Sequence, residues 1–442
     1  MEYIFRENYM ETKEFKIIDM SVEGEGIAKI GNEVYFIDGA VEGETVTAEI
    51  VKEKDNLHWG NMLKIIEPSF RRATPPCPYF GKCGGCKLMH LTDETQKLFK
   101  KLSLQRTIKK VTNFDIDVKE TVCGKQKFGY RNALQLKVEK RDGQVFVGFF
   151  ETKTHNIVDI DKCLICGDYS QKLISVIRQF VVDTDADFES VFANYYDGKL
   201  LVLVQTSSGK CDKTFYDYLK AQFEIVSLWS AKQFATSTLL NYKDAKCVAG
   251  DASEEILLCG LSINVTPLNF TQTNFEVAEL MYKQIVSEVG KNKVVLDLYS
   301  GLGVTSVLFA QNQNYVCSVE YVENSVQAAK QMAQKYGVAD RLIANAGDCG
   351  KVLQTLNFTE KERENLVVFL DPPRKGAGKQ VIDEIIKLAP KKVVYMSCSP
   401  TSLAKDLRDL SVAYDINYVQ SFDMFPQTNS IESLTVLTLK TR

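Results

Sequence analysis

Residues 393–400 read VVYMSCSP: an apolar, strand-type run that ends in a thiol, with a proline two positions later. Cysteine is often buried as a small hydrophobe. A thiol at the ligand-facing end of a strand is instead placed to act as a nucleophile, and its strength depends on the thiolate form. One strand earlier, VVFLDPPRKG (367–376) ends in Asp371, and two prolines fix the loop that follows. That edge of an open α/β sheet is where ligands bind.

Further back, DLYSGLG (297–303) lies between a strand-type and a helix-type run. Gly301 and Gly303 let the backbone approach a ligand closely at the start of the helix. Glu320 ends the next strand, 23 residues after Asp297, where an acid accepts both ribose hydroxyls of an adenosine cofactor. A dinucleotide site expects a third glycine or alanine at position 306, where Ser306 stands. Asp297 would also repel a pyrophosphate. A cationic, phosphate-free donor, S-adenosylmethionine, fits this set better. Asp348, in NAGDC, falls at the third strand end, near the place of an adenine.

A thiolate and a methyl donor together suit carbon 5 of a pyrimidine, which is a poor nucleophile by itself. Thiolate addition to carbon 6 makes an enolate, and carbon 5 then attacks the methyl group. The carbon 5 proton must leave next, which requires a base and lets the thiolate depart. Glu432, in FPQTNSIES, stands just before the last strand-type run and offers that base, with a plain surface charge as the competing reading. Amino-directed methyltransferases end the proline loop in an aromatic. Arg374 and Lys375 follow here, which disfavours methylation of an exocyclic amine.

CPYFGKCGGC supplies Cys77, Cys83 and Cys86 within ten residues, with Gly84 and Gly85 between the last two. Such spacing points to a metal, and thiolates suit zinc or an iron–sulfur cluster. Cys163 or Cys166, in DIDKCLIC, offers a fourth ligand. Twelve cysteines in a long chain read as intracellular are metal ligands, catalytic thiols or buried apolar groups rather than disulfides. Three histidines argue against chemistry that needs several.

The elements that must position these residues change character along the chain. Residues 1–70 carry closely spaced short strands broken by glycines, which predicts a small OB-like β-barrel. Seven Lys/Arg against fifteen Asp/Glu make that module a weak electrostatic grip on RNA. Residues 71–265 hold the cysteine loop, a basic helix over 93–112 and a mixed α+β region. Lys100 and Lys101 on that helix, with Tyr130 and Arg131 beside a strand, are candidate phosphate and base contacts. A solvated helix face and a packed tyrosine are the competing readings. Residues 266–442 alternate strands with helices, which predicts a doubly wound parallel sheet, and two late strands form an antiparallel hairpin at its edge. Helix 93–112 is placed to pack on this part. Net charge is −3, which excludes a wholly basic nucleic-acid coat but not a local basic groove. The early charges of MEYIFRENYM are unlike a signal peptide, and no apolar run approaches the ~20 residues of a membrane span. A cytoplasmic protein without a membrane partner is expected.

Over nearly its whole length the chain resembles the RNA uracil-5-methyltransferase family, in its iron–sulfur branch that modifies 23S ribosomal RNA. CPYFGKCGGC with a distant cysteine, DLYSGLG, LDPPRKG, SCSP and FPQTNSIES carry the resemblance. It implies a multidomain α/β protein: a TRAM-type barrel, a central iron–sulfur domain and a Rossmann-like methyltransferase. It implies that Cys398 is the nucleophile and Glu432 the base, with Asp371 between cofactor and uracil. Gln272, Tyr299, Glu320 and Asp348 match cofactor contacts. Cys77, Cys83, Cys86 and Cys163 match the ligands of a [4Fe–4S] cluster, Cys163 preferred because it follows a strand like NIVDIDKC. Ser430 stands where the family commonly carries a histidine, two residues before Glu432. Ribosomal RNA is the implied partner, and the chain is expected to act as a monomer. Transfer RNA as substrate, an RNA cytosine-5-methyltransferase and a non-catalytic iron–sulfur RNA-binding protein are the alternatives. The cytosine enzymes commonly carry a second cysteine near the proline motif, and DPPRKG has none.

Overall fold

Runs such as LVVFL (366–370), buried at every position, form the strands of a sheet covered on both faces. The computed structural model describes residues 12–232 and 244–441; the N-terminal MEYIFRENYM lies outside the described residues. Its largest sheet has eight strands in the order Leu342–Ala346, Tyr315–Glu320, Val294–Leu298, Leu366–Leu370, Lys392–Ser397, Glu432–Leu439, Tyr414–Asp423 and Val118–Cys123. The first five run parallel and are joined through helices. Strand order reverses between Val294–Leu298 and Leu366–Leu370, which opens a crevice at their C-terminal ends. Glu432–Leu439 runs antiparallel to both of its neighbours.

This antiparallel insertion matters for the chemistry. Its first residues lie beside the last residues of Lys392–Ser397, and Ser397 pairs with Ser433. Glu432, at the start of one strand, is thereby brought to the same edge as Cys398, at the end of the other.

Two elements that the sequence placed in the central region belong to the large sheet or its core. Val118–Cys123 pairs in parallel with Tyr414–Asp423 and forms the sheet edge. The hairpin Glu254–Leu258/Leu261–Val265 packs its buried face into the core that holds Met281, Ile285 and Phe309. The helix Asp93–Thr112 packs on the large sheet's layer: Leu104 and Ile108 join Leu403, Leu407 and Leu410 of the helix Pro400–Leu410. Thr92 caps its first turn and left-handed Asn113 ends it.

A seven-stranded sheet occupies most of residues 133–249, covered by the helix Asp168–Thr184, whose apolar face buries Leu173, Ile177 and Phe180. Thr12–Glu67 forms a six-stranded sheet of mostly short strands around Phe15, Ile17, Tyr35, Ile37 and Val46. Among the described residues no helix is long and apolar enough to cross a membrane.

Candidate active site

The glycine loop follows Val294–Leu298 and leads into the helix Val304–Gln311. Gly301 has φ 52°, and a Cβ there would meet nothing within 4 Å. The loop is therefore open on that side, as a ligand cradle must be. Gly303 does a different job. At φ 83° its missing side chain leaves room for Ala329, whose Cβ would stand 2.5 Å from a Cβ at 303.

Glu320 is oriented by two backbone amides: Gly301 N–H donates to Oε2 (3.0 Å) and Val322 N–H to Oε1 (2.9 Å). Its remaining lone pairs point a carboxylate at the open loop, which suits ribose hydroxyls. Asp297 is sealed beneath the loop and fully buried. Thr305 (2.8 Å) and Ser306 donate hydroxyls to its Oδ2, and burial pushes its carboxyl up to about 7. Asp297 thus supports the loop from below through Oδ2, while its Oδ1 is buried without a partner. Ser306, the residue that breaks the dinucleotide pattern, is one of its two props. Asp348 caps the helix Cys349–Thr355 through Lys351 N–H (3.1 Å). Left-handed Tyr299 donates its hydroxyl to the Ala377 carbonyl (3.0 Å), tying this loop to the one after Asp371. Gln272 is buried and bonds to Tyr282, whose phenol in turn feels Asp371 and Glu432.

Around Cys398 the charges are mostly negative. Glu432 is buried, and its Oε2 has no partner. Burial first, then Asp371, push its carboxyl well above the usual range, opposed by Arg374 and Lys100. Asp371, half-buried, is pushed up to about 7 by desolvation and by Asp297. The Cys398 thiol is pushed up to about 11 by burial, then by Glu432 and Asp371, and Arg374 pulls it down. An orphaned buried carboxylate oxygen is costly unless function retains it.

Arg374 is the site residue that the sequence reading passed over. It is exposed, two residues after the prolines begin, and its charge reaches both Cys398 and Glu432. Its place directly after DPP was the available signal. Arg374→Met should slow attack by the thiol roughly ten-fold at neutral pH, through a smaller thiolate fraction. The check is the rate of covalent RNA capture against pH, whose profile should move to higher pH in the variant.

The candidate RNA contacts fare differently. Lys100 is fully buried, and Tyr130 is buried with its hydroxyl donating to the Pro426 carbonyl (2.9 Å). Neither can meet a phosphate or base from these positions. Lys101 pairs with Glu120 at 2.6 Å, and Arg131 lies over Phe425 at 5.9 Å. Arg131 also lowers the pKa of Cys163 and opposes the rise at Cys86.

Cys163, from a separate segment, acts on all three cysteines of the loop. The thiols of Cys77, Cys83 and Cys86 are each raised by burial and also by Cys163. Cys163 hydrogen-bonds with Cys166 and lies low, at about 7. Cys166 is buried in the core of the central sheet. Among the described residues, no group of three or more His, Cys, Asp or Glu side chains is arranged to hold a metal ion. The donor set suits a thiolate-bound metal, but the thiols are not drawn to one point.

Residues 262–440 match the family model described as tRNA (Uracil-5-)-methyltransferase. An uncharacterized RNA methyltransferase of Clostridium tetani is 30% identical over 96% of this chain and 95% of its own. The chain belongs to the RNA uracil-5-methyltransferase family. A relative in Listeria monocytogenes, also described as an uncharacterized RNA methyltransferase, is 30% identical over 96% of this chain and 97% of its own. Among solved structures, the Pyrococcus abyssi tRNA (uracil-54, C5)-methyltransferase in complex with S-adenosyl-L-homocysteine aligns with a TM-score of 0.74. That likeness covers 96% of this chain and 100% of the archaeal one, at 21% identity, and it establishes a shared mixed α/β methyltransferase fold. As a member of the family, this protein is an S-adenosylmethionine-dependent RNA (uracil-5-)-methyltransferase.

Proposed function

We propose that Cys398 and Glu432 carry the methylation of carbon 5 of uracil in RNA, with large-subunit 23S ribosomal RNA as the substrate. The observation that supports this most is the strand register: Ser397 opposite Ser433 sets the thiol and the carboxylate on one edge, beside Asp371. The target uridine must leave its stack to reach them. Cys398 adds its sulfur to carbon 6, and the electron pair of the ring double bond moves toward carbon 5. S-adenosylmethionine, when bound, supplies the methyl group that carbon 5 takes. Glu432 then removes the carbon 5 proton, the double bond re-forms and the thiolate leaves. Asp371 stands where it can hydrogen-bond the pyrimidine edge. The open face at Gly301 and the oriented Glu320 suit the cofactor's adenosine half.

Cys77, Cys83, Cys86 and Cys163 would hold a [4Fe–4S] cluster. No step of the reaction runs through it; we assign it an ordering role in the central region. The mutual influence of these thiols supports Cys163 over Cys166 as the fourth ligand. Anaerobically purified protein should be brown, and Cys163→Ser should lose most of its iron while Cys166→Ser keeps it. Equal loss in both variants, or colourless protein with bound zinc, would reverse the assignment.

Transfer RNA is the second reading, favoured by the archaeal neighbour's substrate. Mapping 5-methyluridine in ribosomal and transfer RNA with and without this protein separates the two. Loss of a 23S site supports the proposal; loss confined to transfer RNA overturns its substrate.

A further inference from the structure

The turn that delivers Glu432 is held by segments far from it in sequence. Four successive carbonyls each accept a hydrogen bond from a different place. Met424 accepts from Asn274 Nδ2 (3.2 Å), Phe425 from Lys100 Nζ (2.9 Å), and Pro426 from the Tyr130 hydroxyl (2.9 Å). Gln427 accepts from the amides of Lys87 (3.1 Å) and Leu88 (2.9 Å), beside the cysteine loop. Gln427 is itself left-handed, at φ 74°, a conformation that a non-glycine residue keeps only where its surroundings hold it. Gln96 does the holding: its Nε2 donates to Gln427 Oε1 (3.0 Å), and Gln427 N–H donates back to its Oε1 (3.0 Å).

Gln96 and Lys100 lie one turn apart on the helix Asp93–Thr112. The Lys100 ammonium is fully buried and pairs with Asp423 at 2.6 Å, at the end of the strand that precedes the turn. A buried ion pair gives little net stability compared with apolar side chains of similar volume. Stability alone therefore does not account for a lysine here. Phe422, next to Asp423, pairs directly with Glu432 across the hairpin.

We propose that Lys100 is a positioning residue for Glu432: it pins the turn that delivers the carboxylate and sets a buried positive charge beside it. This rests on reading Glu432 as the base that removes the carbon 5 proton. The charged and titratable groups facing Glu432 are Asp371, Cys398, Tyr282, Arg374 and Lys100. Only the last two are cations. Arg374 is exposed and free to engage RNA, whereas Lys100 is locked in place. Burial pulls the Lys100 ammonium below the usual lysine range, Asp423 and Cys123 hold it up, and Lys127 works against it. Burial and Asp371 favour the protonated form of Glu432, which cannot accept a proton; Lys100 works against them.

The test uses the full chain, S-adenosylmethionine and a uridine-containing RNA substrate. In Lys100→Met the covalent RNA adduct should form at nearly the native rate. Release of methylated RNA should fall roughly ten-fold at neutral pH and recover as pH rises. Lys100→Met/Asp423→Asn removes both charges, leaves no unpaired buried carboxylate, and should show the same slow release and the same displaced profile. Native release in either folded variant, or a loss equal at every pH, overturns the inference. A double variant that does not fold also overturns it, because the pair would then be structural. Should the unaltered protein form no adduct, the assignment of Cys398 and Glu432 fails, and the role of Lys100 falls with it.

Discussion

Cys398→Ala should abolish 5-methyluridine formation and the covalent RNA adduct together, by at least about 10⁴-fold. In the proposed mechanism the sulfur is the group that makes carbon 5 nucleophilic, and Glu432 and Asp371 are the acids whose charge acts on it. Cofactor binding should survive, because Gly301 and Glu320 belong to other strand ends. Calorimetric titration with S-adenosylmethionine checks that half. Residual methylation near the native rate would remove Cys398 from the mechanism. The sign of the pH dependence follows from the thiol's surroundings. With the group pushed up to about 11, the reactive thiolate is the minor form at neutral pH. Its share rises up to about ten-fold per pH unit, so adduct formation should rise from pH 7 to 9. A flat profile would mean that RNA binding itself supplies the missing positive charge.

Glu432→Gln should do the opposite to the adduct: methylated RNA should accumulate on the protein, with release slowed roughly 10²–10⁴-fold. Glutamine keeps the size and the packing of the buried side chain but cannot take a proton. Attack by Cys398 should be unimpaired or faster, since Glu432 is a negative charge that raises the thiol. Denaturing gels with radiolabelled methyl donor read the trapped species directly. Free product at the native rate would show that another base removes the proton. In the native protein the carboxyl is pushed well above the ordinary range, chiefly by burial. Below that displaced pKa only the carboxylate fraction works, so product release should increase with pH. Ser430 makes no hydrogen bond to Glu432; its N–H donates to the Thr428 hydroxyl (3.3 Å).

The large sheet was legible in the sequence because its elements announce themselves locally. Continuous apolar runs of five or six residues, each followed by a helix-type segment, leave little choice but a parallel sheet with both faces covered. The clustering of the candidate site residues at one sheet edge was legible for a related reason. DLYSGLG, LDPPRKG and SCSP each end such a run, and parallel strands deliver their C-terminal ends to one edge. The short link from Tyr414–Asp423 to Glu432–Leu439 forces an antiparallel hairpin. Glu432 therefore had to start its strand at one end of the hairpin.

Other features were not legible. Val118–Cys123 carries no mark that distinguishes a strand of the central region from an eighth strand of the catalytic sheet. Its place depends on Tyr414–Asp423, some 300 residues away. The helix Asp93–Thr112 is polar around much of its circumference, so charge could not say which face meets water. Lys100 and Lys101 are neighbours in sequence, yet one is sealed against Asp423 and the other reaches toward Glu120 near the surface.

By itself, then, the sequence determined which residue types stand at strand ends, which glycine loop lies between a strand and a helix, and which cysteines are close together in the chain. Local spacing controls those properties. Only the tertiary structure decided that the thiol faces Glu432 across an antiparallel pair and that Arg374 looks onto both. It also decided that a lysine and a tyrosine, read as RNA contacts, hold the turn before Glu432 instead. These depend on partners far apart in the chain, and a buried charge or hydroxyl is stable only where such a partner receives it.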